Sequence, residues 1–176
     1  KIRGIFGAGY EHPSHTNIMD YITISTLGNA LDYGDLSDQK MTPASVSSST
    51  RAIWTRSGTS PTPGSVMEFT NIRSTGNTTD FGDGYGTGMY GGGSSSTRGI
   101  FSGAYIANTI AYITMATTGN TTDFGDLTIR KYSQNNMTSP TRCVHGAGNS
   151  YTAPTTTKVN VMDFTQIATT GNAVDF

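Results

Sequence analysis

The decapeptide "STGNTTDFGD" at 74–83 returns almost unchanged as "TTGNTTDFGD" at 117–126. A looser copy, "TLGNALDYGD", occupies 26–35, and "TTGNAVDF" runs from Thr169 to Phe176. Self-similarity of this kind narrows the possible folds to solenoids, propellers or arrays of small units. Two further markers keep step with it. An arginine opens an apolar stretch at Arg3, Arg51, Arg98 and Arg142, and an aspartate precedes an aromatic at Asp32, Asp80, Asp123 and Asp175. Together they define four repeats of about 48 residues, a period in the range of propeller blades. The units fall at approximately 1–36, 37–84, 85–127 and 128–176 of a single repeat domain covering 1–176.

Length variation is confined to one place in each repeat. The step from the aspartate marker to the next arginine is nearly constant, whereas the step from arginine to the Gly-Asn pair is not. The variable segments read "EHPSHT", "TSPTPGS", "IAN" and "SYTAPTTTK". Insertions tolerated at one point per repeat map to loops on one face of the assembly.

Each unit reads as four short strands. The first is the "RGIF" type. The second is "IMDYITIS", with copies "VMEFTNIR", "TIAYITMA" and "VMDFTQIA". A Gly-Asn pair, tolerant of positive φ, turns the chain into the third strand, "ALDYGDL" and its copies. The fourth lies in the stretch leading to Ser-Ser-Ser-Thr. In the second strand Ile18, Ile22 and Ile24 share one face while Met19 and Tyr21 share the other, so the sheet is expected to be covered on both sides. A four-stranded unit buried on both faces by its neighbours describes a propeller blade. A β-helix is the second reading, although its coils are shorter than this unit.

The composition agrees with an all-β fold. Glycine accounts for 22 of 176 residues, above the usual share of about 7%, and Ser and Thr are abundant. Only 13% of residues are charged and the formal net charge is −1, with no basic stripe to bind nucleic acid. No apolar run reaches the roughly 18 residues of a membrane span. Cys143 is the single cysteine, which excludes an internal disulfide.

The glycine-rich end of the first strand, followed by Tyr10 and Tyr105, resembles the kelch type of propeller repeat. "RGIFGAGY", "NTIAYITMATTGNTTDFGDLT" and "SSSTRGIF" are similar to tandem repeats of aquatic (cyanophage-like) bacteriophage tail or fibre proteins. The resemblance covers nearly the whole chain. It implies a kelch-like β-propeller in a virion or other extracellular appendage, and the "TRSG" of the second copy and the short fourth copy depart from the pattern.

No motif points to catalysis, a cofactor or a resident metal. Asp32 with Asp35, Asp80 with Asp83 and Asp123 with Asp126 are carboxylates three apart, but one Asp-x-Gly-Asp supplies too few oxygens for calcium. An Asx-type turn, or a carboxylate accepting backbone N–H groups, is the expectation. His12 and His15 stand in one copy only, in its variable loop, without a third ligand. Cys143 and His145 fill slots held elsewhere by Gly4, Ala52, Gly99 and by Phe6, Trp54, Phe101, so they read as substituted strand positions. "GDGYGTGMYGGG" lacks the lysine of a phosphate loop. Sequons occur at Asn77, Asn120 and Asn136 as possible glycosylation sites.

The leading expectation is therefore a non-enzymatic structural repeat protein of a phage fibre or extracellular filament, partnered by copies of itself. The second is a propeller lectin holding a surface glycan with Tyr10, His12 and His15, with Trp54 also a candidate. Arg3, Arg51, Arg98 and Arg142 are expected to form bidentate pairs with Asp32, Asp80, Asp123 and Asp175. Phe6, Trp54, Phe101 and His145 are expected to point inward. The first and last units are open to completion, either by a longer array or by strand addition between copies.

Overall fold

The computed structural model describes residues 3–40, 42–55, 65–85, 88–152 and 154–176, less the side chain of Glu11. Most of the second variable segment, "TSPTPGS", and Lys1 lie outside the described residues. Every regular element described is a β-strand, and all pairing between strands is antiparallel, unlike the parallel coils of a β-helix.

The first sheet has three strands, β1 (Arg3–Glu11), β2 (Ser14–Thr23) and β3 (Leu31–Lys40). The second is a four-stranded meander of β4 (Ser45–Ser47), β5 (Arg51–Trp54), β6 (Val66–Asn71) and β7 (Thr79–Asp83). The third repeats it with β8 (Gly91–Ser94), β9 (Arg98–Ala104), β10 (Ala107–Thr114) and β11 (Thr122–Asp126). The fourth contains β12 (Asn135–Thr138), β13 (Arg142–Gly146), β16 (Met162–Gln166) and β17 (Val174–Asp175). Its variable segment forms a separate hairpin of β14 (Asn149–Thr152) and β15 (Thr155–Lys158). Among the described residues the first and fourth sheets do not pair, and they form no closed propeller.

The Ser/Thr-rich leads form tight hairpins. The Ser48 hydroxyl accepts the N–H groups of Thr50 and Arg51, and Ser95 and Ser139 do the same for Thr97 with Arg98 and for Thr141 with Arg142. A side-chain acceptor inside the loop lets the chain reverse without leaving its amides unpaired. The strand before each hairpin (β4, β8 or β12) thereby joins the sheet of the arginine that follows it.

The third strand carries a recurring irregularity. Asp32 pairs with Asp20 and Gly34 with Met19, so Tyr33 is the extra residue of a bulge; Phe81 and Phe124 sit at the same step of β7 and β11. A bulge redirects the side chain it displaces. Here it sends the aromatic ring into the space between one sheet and the next, where Tyr33, Phe81 and Phe124 are buried.

Candidate functional site

The buried apolar groups form three clusters, and each spans one junction between consecutive units. Met19, Tyr33 and Leu36 of the first unit meet Ala52, Trp54 and Ile72 of the second. Met67 and Phe81 meet Phe101, Ile113 and Met115. Ile110, Phe124 and Leu127 meet Cys143, Ile167 and Ala173. Burial at about 25 cal/mol per Å² of apolar area therefore stabilises contacts between units as much as within them.

A polar clamp accompanies each cluster. The N–H of Gly76 donates to the Tyr33 carbonyl at 2.7 Å, and the N–H of Asp35 donates to the Asn77 side-chain oxygen at 3.0 Å. Gly119 and Asn120 repeat this on Phe81 and Asp83, at 2.7 and 2.9 Å. Gly171 and Asn172 repeat it on Phe124 and Asp126, at 2.7 and 3.1 Å. The repeated Gly-Asn turn of one unit thus reads the repeated third strand of the unit before it. The glycine of each Asp-aromatic-Gly-Asp makes the approach possible. Gly34, Gly82 and Gly125 have φ of 136°, 136° and 144°, a region that side chains disfavour. A Cβ on them would lie 2.5 to 2.6 Å from the backbone of Gly76, Gly119 or Gly171.

The arginines form a second latch. Arg3 donates to the Ile72 carbonyl at 3.2 Å, Arg51 to Met115 at 3.3 Å and Arg98 to Ile167 at 2.8 Å, each in the following unit. Each guanidinium also lies over an aromatic ring of its own unit: Arg3 over Tyr21, Arg51 over Phe69, Arg98 over Tyr112 and Arg142 over Phe164, at 4.4 to 5.0 Å from the ring centres. This corrects the expected Arg–Asp pairs. Asp32, Asp80, Asp123 and Asp175 are all exposed, and none of the four arginines makes a salt bridge with them. A planar cation between a ring and a carbonyl is already satisfied, and the exposed carboxylates keep their hydration. Asp80 instead accepts the N–H of Gly82 at 3.3 Å, an Asx-type contact.

Two junctions hold a buried ion pair that the marker residues did not reveal. Lys131 donates to Asp163 at 2.6 Å and to the carbonyls of His145 and Val161, while the second Asp163 oxygen accepts the N–H and hydroxyl of Thr128. Lys40 and Glu68 take the same places two junctions earlier, with Ser37 and Thr78 donating to Glu68. At the junction between them the corresponding residues are Gly88 and Ala111. Cation and anion are present together or absent together, as the cost of an unpaired buried charge requires. The signal was legible as a covariation among copies.

Of the four aligned aromatic-type positions, Trp54, Phe101 and His145 are buried, but Phe6 is 60% exposed. The expectation fails for Phe6 because no unit packs on that side of the first sheet. Trp54 lies in the core, beside Gly7, and cannot face a ligand. His145 is buried among Ser102, Asn136 and Thr165, which lie at 3.0 to 3.2 Å from its ring nitrogens. Burial lowers its pKa to about 4, and burial, with Asp163 nearby, pushes the Cys143 thiol up to about 12. Both side chains are held in their neutral forms, out of reach of solvent.

Tyr10 and His15 face each other across the β1–β2 hairpin, ring centres 5.4 Å apart, with His12 at 6.0 Å from Tyr10. The three candidate ligand residues do gather at one tip. A larger aromatic group, not singled out from the sequence, joins Tyr90, Tyr105, Tyr132 and Tyr151 between the third and fourth units. Asn77 and Asn120 are exposed at the junction turns. Asn136 is different: its side-chain amide donates to Ser102 at 2.9 Å in a partly buried network, so the folded chain has no free amide there to carry a glycan. Among the described residues no group of three or more His, Cys, Asp or Glu side chains could hold a metal ion, and no helix is long and apolar enough to cross a membrane.

No protein-family model matches the chain, and no curated protein matches it in sequence.

Proposed function

We propose that this chain is a non-enzymatic structural repeat protein, built of kelch-like blades, that serves in a phage fibre or extracellular filament and associates with copies of itself. The observation that carries this reading is the use made of the repeated residues. Three of the four Gly-Asn turns, the glycines of three third strands and three of the four first-strand arginines bind one unit to the next. The serine, cysteine and histidine that resemble catalytic types, Ser102, Cys143 and His145, are enclosed in the core. Electron microscopy of the purified chain tests the reading: fibres or regular oligomers are expected, and a dispersed monomer at every concentration would overturn it.

The second reading, a lectin for surface glycans, is favoured by the cluster of exposed Tyr10 and His12 with half-buried His15, because aromatic rings with polar tips suit a ligand with both apolar and polar faces. A glycan array on wild type and on Tyr10→Ala separates the two. Binding that the substitution removes supports the lectin.

A further inference from the structure

Of the nine tyrosines in the chain, four gather where the third unit meets the fourth. The main chain holds them there. The Tyr90 N–H donates to the Gly103 carbonyl at 3.3 Å, and Tyr132 exchanges both backbone hydrogen bonds with Asn149, at 2.8 and 2.9 Å. Two glycines let these segments close in. Gly103 has φ of 72°, and a Cβ on it would collide with the Lys131 carbonyl. Gly148 has φ of 114°, and a Cβ on it would collide with the Tyr132 carbonyl. Only a residue without a side chain accepts both demands at little cost. The end of β9 and the start of β14 are thereby fixed against one segment of chain. Tyr105, just after β9, and Tyr151, inside β14, come face to face.

This contact differs in kind from its neighbours. The Tyr105 and Tyr151 ring centres are 4.6 Å apart with their planes at 23°, a stack in which carbon atoms of the two rings reach van der Waals contact. Tyr132 meets Tyr105 edge-on at 5.0 Å, and Tyr90 meets Tyr132 at 5.7 Å and 55°. The polar tips gather too. Partial burial, then the phenols of Tyr151, Tyr132 and Tyr90, push the Tyr105 pKa up, and burial, then Tyr132, does the same for Tyr90. Tyr105 is 41% exposed and the other three are half-buried, so a reagent reaches the group at Tyr105. The one other tyrosine pair in ring contact among the described residues, Tyr21 with Tyr33, is edge-on. There Arg3 lies over the Tyr21 ring, and the Tyr33 hydroxyl is engaged by Thr70 and the carbonyls of Asn71 and Ser74.

We propose that Tyr105 and Tyr151 form a tyrosine-coupling site, at which a haem peroxidase with hydrogen peroxide joins the two rings and so ties the third unit to the fourth covalently. Each tyrosine gives up one electron and its phenolic proton, leaving two phenoxyl radicals. The radicals pair as a carbon–carbon bond between carbons ortho to the oxygens, and the hydrogen displaced from each of those carbons returns to a phenol oxygen. One hydrogen peroxide takes the two electrons and two protons and leaves as two waters. Tyr132 and Tyr90 extend the ring contacts behind Tyr105, so a radical formed on either has a short path to the pair. A covalent tie between residues so far apart in sequence also restricts the unfolded chain. The proposal goes beyond the fibre reading and stands on the ring geometry alone.

The test treats the dilute full-length chain with a haem peroxidase and hydrogen peroxide, then maps tryptic peptides by mass. The expected product is an unbranched monomer with blue dityrosine fluorescence, in which the peptides carrying Tyr105 and Tyr151 are joined with loss of two hydrogens. Tyr105→Phe and Tyr151→Phe keep both rings and should fold, as circular dichroism checks, but each should lose the linked peptide. Tyr10→Phe should leave its yield unchanged. In urea the wild-type yield of this pair should collapse, because the fold no longer brings the rings together. No link between these peptides, a link that survives either phenylalanine, dominant links at other tyrosines, or an equal yield in urea would each overturn the proposal.

Discussion

A Cβ on Gly82 would sit 2.5 Å from the carbonyl of Gly119, a residue of the next unit. The third strand of one unit and the turn of the next therefore meet backbone to backbone. Gly82→Ala should be destabilising by about 3 kcal/mol or more, since positive-φ strain and a clash with main chain combine. Gly76→Ala, with φ of 145° but nothing within 4 Å of its Cβ, isolates the strain and should cost about 1–2 kcal/mol. Urea melts that rank the two equally would contradict this account of the junction.

Lys131→Met leaves Asp163 as a buried, unpaired carboxylate and should lower stability by about 3–5 kcal/mol. The double variant Lys131→Gly with Asp163→Ala copies the natural Gly88 and Ala111 pairing and is expected to recover much of that loss. A double-mutant cycle measured by chemical denaturation checks it; purely additive effects would show that the charges are not coupled.

His145 gives the fold an acid limit. Its folded pKa of about 4 lies below the ordinary value near 6.5, so between these values the unfolded chain binds the extra proton. Stability is fully present above about pH 6.5 and falls as pH drops toward 4, by about 3 kcal/mol for a shift of this size. Melting temperature against pH should show this slope, and His145→Phe, which restores the ring of Phe101, should flatten it.

Cys143 should be silent toward thiol reagents. Fully buried and with its pKa raised to about 12, it offers almost no thiolate at neutral pH. Labelling with a chromogenic disulfide reagent is expected only at the rate of unfolding. Fast labelling of the native chain would mean that the junction between the third and fourth units opens locally.

Much of the architecture was legible because repeats are compared with themselves. The three strands from each arginine to its aspartate marker, the single variable connection and the burial of Trp54 all follow from aligning four copies, whereas the strand before Ser-Ser-Ser-Thr, expected as the fourth of its unit, opens the next sheet instead. The arginine partners were misread because a backbone carbonyl has no letter of its own, whereas an aspartate at the right period attracts attention. The aromatic at Tyr21, Phe69, Tyr112 and Phe164 was the available clue. Phe6 was misplaced for another reason. Its slot is identical to that of Phe101, but burial depends on whether a neighbour arrives, which the slot itself does not encode. Lys131 and Asp163 escaped notice because the pair is present at two junctions and missing at the third.

The arginine latches carry a consequence for synthesis. Arg3 bonds to a residue 69 positions later, Arg51 to one 64 later and Arg98 to one 69 later. As the chain leaves the ribosome, each of these arginines must wait for more than a full unit of further translation before its latch can shut. Until then the bulged ring remains bare, and the newest sheet is always the unprotected one. Order spreads along the nascent chain from its start, each unit fastened by the one synthesised after it, so a pause in translation would leave a single sticky sheet at the growing end while those behind it stay locked.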